Sequence, residues 1–250
     1  MIGGGGRKQP PAQRHRAPSR RSARAAADLT ADRERALVLT PVSRETLDRL
    51  DCFVAILLAW QRRMNLIAPS TESTLWTRHV ADSLQLMAPA PGTRFWADLG
   101  AGAGFPGLVI ACALADIPGA RVHLVESNAK KAAFLREAAR ATGAPAVVHA
   151  TRIEDFVAKA PAPIDVVTAR ALAPLPKLLS LVYPLLKSGA LGIFPKGQDV
   201  AAELTEAAKC WKIQASLSPS RTDPKAQIVV VRGLEPKLRS ATRNDSATFG

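Results

Sequence analysis

A short glycine-rich segment is the part of the sequence whose residue types and spacing best suit a ligand. The segment runs from Asp98 to Gly107 and carries alternate glycines at Gly100, Gly102 and Gly104. Because glycine has no Cβ, the backbone here can approach a ligand closely and adopt positive φ where a turn requires it. Gly107 allows a following helix to pack tightly on the preceding strand. The segment therefore predicts a binding loop between a strand and a helix.

Two classes of ligand fit this loop. Gly102, Gly104 and Gly107 match the G-x-G-x-x-G pattern of dinucleotide-binding proteins, and Glu126 follows about 20 residues later, where an acid would hold a ribose. Asp98 argues against a dinucleotide, since its carboxylate would repel a pyrophosphate but accept from the ammonium of S-adenosylmethionine. The loop thus favours S-adenosylmethionine, with Glu126 accepting from the ribose hydroxyls. A nicotinamide-dependent oxidoreductase stays open as an alternative.

The elements that must position this loop alternate between short apolar runs and amphipathic segments. The apolar runs predict strands over Arg94–Leu99, Arg121–Glu126, Ala146–His149, Ile164–Thr168, Gly189–Phe194, Ile213–Leu217 and Ala226–Val231. The segments between them predict helices over Pro106–Ala115, Asn128–Thr142, Pro174–Leu186 and Val200–Cys210. Such alternation predicts an α/β fold, Rossmann-like, with a mostly parallel seven-stranded sheet. The last two strands lack a connecting helix, which predicts an antiparallel closing pair.

Four regions follow from this pattern. Residues 1–37 are predicted to be a disordered basic arm, because residues 1–27 hold seven Lys and Arg, no acid and almost no large apolar side chain. Residues 38–92 form an N-terminal helical region with a first helix opening at Thr40-Pro41 and a second running from Ser73 to about Met87. Residues 93–233 form the ligand-binding domain, and residues 234–250 are predicted to be a loose tail.

The composition of the chain indicates the class of its binding partner and the cellular compartment in which it works. The chain has 250 residues and a net charge of +13, which favours a polyanionic partner, nucleic acid above all. A non-catalytic RNA-binding protein is therefore a second alternative. No unbroken apolar stretch of about 18 residues occurs, so no membrane helix is expected. The three cysteines, Cys52, Cys112 and Cys210, are far apart, so neither a disulfide nor a metal site is expected and a reducing cytoplasm fits.

Besides the glycine loop, several short segments follow one another along the chain: Trp60 with Asn65-Leu66, Arg78-His79 with Asp82-Ser83-Leu84, Leu124 to Ser127 with Lys130-Lys131 and Phe134-Leu135, Arg152-Ile153-Glu154, Ala169-Arg170-Ala171, and Lys196-Gly197-Gln198. In order and spacing, these segments and the loop resemble the glucose-inhibited division protein B family of bacterial small-subunit rRNA guanine-N7 methyltransferases. The similarity covers about residues 45–232. Departures include Pro195 immediately before Lys196 and the long basic N-terminus.

The resemblance implies a class I S-adenosylmethionine-dependent methyltransferase that modifies N7 of a guanine in the decoding-region loop of 16S rRNA. Its partner would be 16S rRNA or the small ribosomal subunit, and a monomer is expected. The resemblance also implies cofactor contacts at Gly100, Phe105, Ile153, Glu154 and Arg170. With the loop residues and Ser127, the predicted cofactor site comprises Asp98, Gly100, Gly102, Gly104, Phe105, Glu126, Ser127, Ile153, Glu154 and Arg170.

The chemistry of this reaction assigns roles to basic residues. Guanine N7 already has an in-plane lone pair, so its methylation needs alignment and no general base. A cation directed at guanine O6 would hold the base, and Arg170 and Lys196 are the candidates. The candidates for RNA contact are Arg78, His79, Lys130, Lys131 and Lys196. For His79 a capping or core role on its helix fits equally well.

Overall fold

A computed structural model describes residues 20–237 of the chain, with side chains from residue 27 onward. It contains one mixed sheet of seven strands: β1 (Phe95–Leu99), β2 (Arg121–Val125), β3 (Ala146–His149), β4 (Val166–Thr168), β5 (Leu191–Lys196), β6 (Trp211–Pro219) and β7 (Gln227–Pro236). The order across the sheet is β3-β2-β1-β4-β5-β7-β6. The first five strands of that order are parallel, whereas β7 runs antiparallel to both neighbours. The predicted sheet and its antiparallel closing pair are confirmed.

Helices cover both faces of this sheet. They are α1 (Arg20–Leu39), α2 (Arg44–Gln61), α3 (Asp82–Leu84), α4 (Gly107–Ala113), α5 (Ala129–Thr142), α6 (Ile153–Ala158), α7 (Leu175–Lys187) and α8 (Val200–Ala207). One apolar core joins α2, α4 and α5 to the sheet, and the other joins α6, α7 and α8 to the opposite face. Burial on both faces explains why the parallel strands read as continuous apolar runs.

The N-terminal region differs from the sequence prediction. The arm was predicted to extend to residue 37, but α1 begins at Arg20, so the prediction is wrong for residues 20–37. Two polar contacts dock this helix. The buried Asp32 carboxylate accepts from the backbone N–H and the hydroxyl of Thr77 at 3.0 and 2.6 Å, and Arg33 pairs with Asp51 at 2.6 Å. The rest of the predicted arm, residues 1–19, lies outside the described residues.

Smaller differences concern the ends of elements. The helix predicted to open at Thr40-Pro41 begins at Arg44, because the Ser43 side chain accepts from the backbone N–H of Thr46 and caps it. The loose tail predicted from residue 234 is wrong for residues 234–236, since β7 stays paired with β6 as far as Pro236. Residues 238–250 of that tail lie outside the described chain.

The predicted helix over Ser73–Met87 is present but irregular. A 3₁₀ helix over Pro69–Thr74 leads into a π-helical turn over Trp76–Ala81, followed by α3 and a further 3₁₀ turn over Gln85–Met87. A π-helical turn holds an extra residue relative to an α-helix, so the side chains within it face directions that a period of 3.6 does not predict. This turn carries His79.

The carboxyl ends of the parallel strands meet at one edge of the sheet. Chain order reverses between β1 and β4, which is the position where α/β folds bind ligands. The glycine loop follows β1, Glu126 follows β2, and Arg170 lies two residues beyond β4. The fold therefore gathers most of the predicted site residues at this edge.

Candidate functional site

The glycine loop has the backbone conformation that its sequence predicted. Gly100, Gly102 and Gly104 have φ values of +75°, +54° and +87°, a region that residues with a Cβ rarely adopt. The backbone N–H groups of Gly100 and Ala101 both donate to the carbonyl of Val125 at 2.9 Å, which ties the loop to the end of β2. The loop thus presents backbone without side chains at the strand ends.

Gly107 confirms the predicted close approach of helix and strand. A Cβ on this residue would lie 2.4 Å from Leu124 Cδ2 and 2.6 Å from the Cβ of Asp98. Both distances are far inside van der Waals contact, so α4 can begin this close to β1 and β2 only with glycine at its first position.

Asp98 has a different role from the one predicted. Its carboxylate is buried, with Oδ2 accepting from the Gly107 N–H at 2.9 Å and Oδ1 accepting from the Thr168 hydroxyl at 3.1 Å. Burial raises the pKa of Asp98 to about 6, although these hydrogen bonds oppose the shift. The predicted contact with a ligand ammonium is therefore corrected: Asp98 shapes the loop from beneath.

The same contact bears on the dinucleotide alternative. A pyrophosphate in a dinucleotide fold sits against the free N–H groups at the start of the helix that follows the glycine loop. Here the first of those N–H groups, on Gly107, donates to a carboxylate. The start of α4 is thus unsuited to a second anion.

Glu126 links the glycine loop to the start of α5. Its Oε2 accepts from the Gly102 N–H at 2.9 Å and its Oε1 accepts from the Asn128 N–H at 2.7 Å. A carboxylate has about four acceptor positions, so two remain for the ribose hydroxyls that the sequence analysis assigned to it. Ser127, next to it, is exposed at the same edge.

Ile153 and Glu154 are the first two residues of α6, a short helix that the sequence analysis missed. Ile153 packs against the second apolar core, whereas the Glu154 side chain is exposed. Ile153 and Glu154 follow β3, and Glu126 follows the neighbouring strand β2. All three residues therefore lie at the same part of the sheet edge. Their contact with the cofactor stays a prediction.

Arg170, His79 and Phe105 form a packed cluster. The Arg170 guanidinium lies 5.3 Å from the centre of the Phe105 ring, and the His79 ring stacks on Phe105 with centroids 4.9 Å apart. Nη1 of Arg170 lies 3.0 Å from Nδ1 of His79 and 3.7 Å from the carboxylate of Asp82. The next residue, Ala171, has a φ of 51°, a strained value for a residue with a Cβ.

The ammonium group of Lys196 is already hydrogen-bonded within the protein, so it is less available to bind a base than the sequence analysis expected. Its Nζ donates to the carbonyl of Ala173 at 2.9 Å and to the carboxylate of Glu203 at 2.7 Å. Glu203 also accepts from the backbone N–H of Leu175. Lys196 thus fixes the segment between β4 and α7, and two of its three protons are used in doing so.

A polar cavity of about 400 Å³ opens beside Arg170, His79 and Lys196. Residues from the π-helical turn, the ends of β4 and β5 and the loop between β6 and β7 line it, among them Arg78, His79, Asp82, Arg170, Lys196, Thr222 and Asp223.

A hydrogen-bond network that the sequence analysis missed fastens the β6–β7 loop over this cavity. Asp82 accepts from the hydroxyl of Thr222 at 2.6 Å, and the Gln85 side chain accepts from the backbone N–H of Arg221 at 2.8 Å. Arg78 forms an ion pair with Asp223 at 2.7 Å. The partners are more than 130 residues apart in sequence, so only the fold reveals them.

Lys130 and Lys131 lie apart from that cavity. They belong to the first turn of α5, where the Asn128 side chain accepts from both of their backbone N–H groups. Lys130 lines a separate groove of about 640 Å³ between α2 and α5, with Trp60 and Met64 among its walls. The structure therefore does not bring these two lysines together with the other predicted RNA-contacting residues.

Within residues 20–237 no group of three or more His, Cys, Asp and Glu side chains is arranged to hold a metal ion. None of the helices described in that range has the length and hydropathy to cross a membrane.

Comparisons with known proteins agree with this geometry. The family model described as "rRNA small subunit methyltransferase G" (GidB) matches residues 46–229. The chain is 58% identical over 207 residues to the "Ribosomal RNA small subunit methyltransferase G" of a Bradyrhizobium species (strain BTAi1), with 83% of this chain and 93% of that protein covered. It is 60% identical over 194 residues to the protein of the same description from Bradyrhizobium diazoefficiens, with 78% and 75% covered.

Solved structures share the fold at low sequence identity. An O-methyltransferase from Bacillus cereus in complex with SAH has a TM-score of 0.53 and 14% identity, covering 83% of this chain and 99% of that one. A putative O-methyltransferase from Klebsiella pneumoniae also has a TM-score of 0.53, with 10% identity and coverage of 84% and 99%. The fold is that of class I S-adenosylmethionine-dependent methyltransferases.

Proposed function

Because the chain belongs to the rRNA small subunit methyltransferase G (GidB) family, we propose that it transfers a methyl group from S-adenosylmethionine to N7 of a guanine in the decoding-region loop of 16S rRNA. The observation that carries this proposal is the family match over residues 46–229, which spans the glycine loop, Glu126, Arg170 and Lys196. That match contradicts the oxidoreductase alternative. The hydrogen bond from the Gly107 N–H to Asp98 also disfavours a pyrophosphate at the start of α4.

The residues at the sheet edge fit S-adenosylmethionine. Three left-handed glycines leave bare backbone for the ligand to approach, and Glu126 keeps acceptor positions for two ribose hydroxyls. Ser127, Ile153 and Glu154 complete the proposed contacts on the side of β2 and β3. When bound, S-adenosylmethionine supplies an electrophilic methyl group on a sulfonium.

This chain needs no proton-accepting residue for the reaction. The N7 lone pair of guanine lies in the plane of the ring and carries no proton, so the protein's task is to orient the base. The cavity of about 400 Å³ lined by His79 and Arg170 has room for a purine that has left its stack. We assign Arg170 to hold the base through O6, whereas Lys196 maintains the segment that carries Arg170.

The name of the relatives implies rRNA of the small subunit as the substrate. We further propose that the enzyme acts as a monomer in the cytoplasm. In support, the exposed large apolar residues among those described are scattered (Val38, Ile117, Val147 and Leu217), and Cys52, Cys112 and Cys210 are free thiols.

A direct test is transfer of a radiolabelled methyl group from S-adenosylmethionine by the purified protein. Isolated small ribosomal subunits and deproteinised 16S rRNA, both from a strain that lacks the gene, would be offered in parallel. We expect label in 7-methylguanosine after nuclease digestion and mass spectrometry. RNA binding without transfer would favour the non-catalytic alternative, and NADH binding without S-adenosylmethionine binding would revive the oxidoreductase.

A further inference from the structure

We propose that His79 is a positioning residue for methyl transfer, because its neutral ring fixes the guanidinium of Arg170 beside the cavity that receives the base. This inference rests on the proposed function and adds a residue whose contact with Arg170 only the fold reveals. His79 and Arg170 are 91 residues apart in sequence.

The hydrogen-bond partners of His79 define which ring nitrogen carries the proton. Arginine can only donate, so the 3.0 Å contact between Arg170 Nη1 and His79 requires Nδ1 to accept. The other ring nitrogen, Nε2, then carries the proton and donates to the hydroxyl of Thr71 at 3.0 Å. Both ring nitrogens are satisfied only in this neutral tautomer.

Packing holds the ring in this orientation. His79 stacks on Phe105 at an interplanar angle of 24°, and the Arg170 guanidinium lies over the same aromatic ring. The three side chains come from the π-helical turn, the glycine loop and the segment after β4. The cluster therefore couples the proposed cofactor loop to the residue proposed to hold the base.

The charges around His79 favour the neutral ring. Arg170 faces the His79 ring from the segment after β4, and Arg78 precedes His79 on the π-helical turn. The nearby acid, Asp82, pairs with Arg170. Burial, followed by the positive charges of Arg170 and Arg78, lowers the pKa of His79 to about 3. At neutral pH the ring is thus an acceptor for Arg170 and carries no charge of its own.

The contact leaves other donors of Arg170 available. Among the described residues, the hydrogen bonds of this guanidinium all use Nη1, which donates to the carbonyl of Arg78 as well as to His79. Nε and Nη2 therefore have no partner in the described part of the chain and are free to donate to a base. Loss of the His79 contact would let the guanidinium rotate and would misplace these donors.

Two substitutions separate the two hydrogen bonds of His79. The amide oxygen of Asn can replace Nδ1 as the acceptor for Arg170, whereas the longer Gln places its amide near Nε2 and retains the link to Thr71. We expect His79→Gln to lower kcat roughly tenfold to a hundredfold, the effect of losing one hydrogen bond to a charged group. His79→Asn should retain at least about tenfold more activity than His79→Gln. Calorimetry should show similar S-adenosylhomocysteine affinity in both variants.

The opposite order, with His79→Gln more active than His79→Asn, would overturn the proposal and assign His79 a structural role through Thr71. Equal activity of both variants and wild type would overturn it as well. Absence of 7-methylguanosine with the wild-type enzyme would instead refute the proposed function, so the two failures are distinguishable.

A measurement on the unmodified protein covers the case in which a variant fails to fold. Nitrogen-15 NMR of the wild-type histidine rings reports which nitrogen carries the proton. We expect His79 to be neutral and protonated on Nε2 from pH 8 down to about pH 5, far above its lowered pKa. A proton on Nδ1, or a charged ring at pH 6, would contradict the proposal.

Discussion

Gly107→Ala is expected to disturb both the stability of the domain and its affinity for cofactor. The new methyl group would lie 2.4 Å from Leu124 Cδ2 and 2.7 Å from the Asp98 carboxylate, so α4 must move away from β1. Overpacking of this kind costs about 1–3 kcal/mol. The shift also breaks the hydrogen bond from Gly107 to the buried carboxylate, which adds about 1–3 kcal/mol.

Together these effects amount to about 2–6 kcal/mol, a large part of the stability of an ordinary domain. We expect the melting temperature to fall on the order of 10 °C and the affinity for S-adenosylhomocysteine to fall at least about tenfold. Differential scanning calorimetry and isothermal titration calorimetry give the two values.

Gly197→Ala provides the matched control, because a Cβ on Gly197 would meet no atom within 4 Å and its φ is not positive. It should leave the melting temperature within about 1 °C of wild type, as surface substitutions usually do. If Gly107→Ala has the melting temperature and the S-adenosylhomocysteine affinity of the wild type, the close approach of α4 to β1 is needed for neither stability nor cofactor binding.

Three further predictions follow from single contacts or segments. Asp98→Asn should change the pH dependence of stability, because the pKa of Asp98 is raised in the folded state. As pH rises from 4 to above 6, the free energy of unfolding of the wild type should fall by about 3 kcal/mol relative to that of the variant. Unfolding free energies that stay parallel over this pH range would contradict the prediction. Glu126→Gln should weaken S-adenosylhomocysteine binding about tenfold or more in calorimetry, since an amide cannot accept from Gly102 and Asn128 together; Glu137→Gln on the exposed face of α5 is the control and should bind as wild type. Deletion of residues 1–19, which hold four Lys and Arg, should weaken RNA binding and lower its salt dependence without changing cofactor affinity, and an unchanged salt slope in filter binding would refute it.

The sequence was most informative where structure is determined locally. The alternation of strands and helices, the antiparallel closing pair and the three positive-φ glycines could all be predicted from residue types and spacing alone. The same holds for Gly107, because tight packing of a helix on a strand at this position is a recurring requirement of the loop. These features depend on neighbours within a few residues.

The predictions failed where contacts join distant segments. Residues 20–37 lack a broad apolar face, and the contact between Asp32 and Thr77, 45 residues apart, could not be inferred from their order. Asp98 is only two residues from the glycine loop, yet its carboxylate faces the core, where register pairs it with Thr168 of β4. The contact between His79 and Arg170 likewise joins residues 91 apart, so their order in the sequence could not indicate it.

The central claim is that this chain methylates N7 of one guanine in the decoding-region loop of 16S rRNA. Mass spectrometry of 16S rRNA from a strain in which the gene is deleted tests it most directly. We expect one 7-methylguanosine in that loop to be absent from the deletion strain, to return with the wild-type gene and not to return with Arg170→Ala. An unchanged methylation pattern in the deletion strain would contradict the claim.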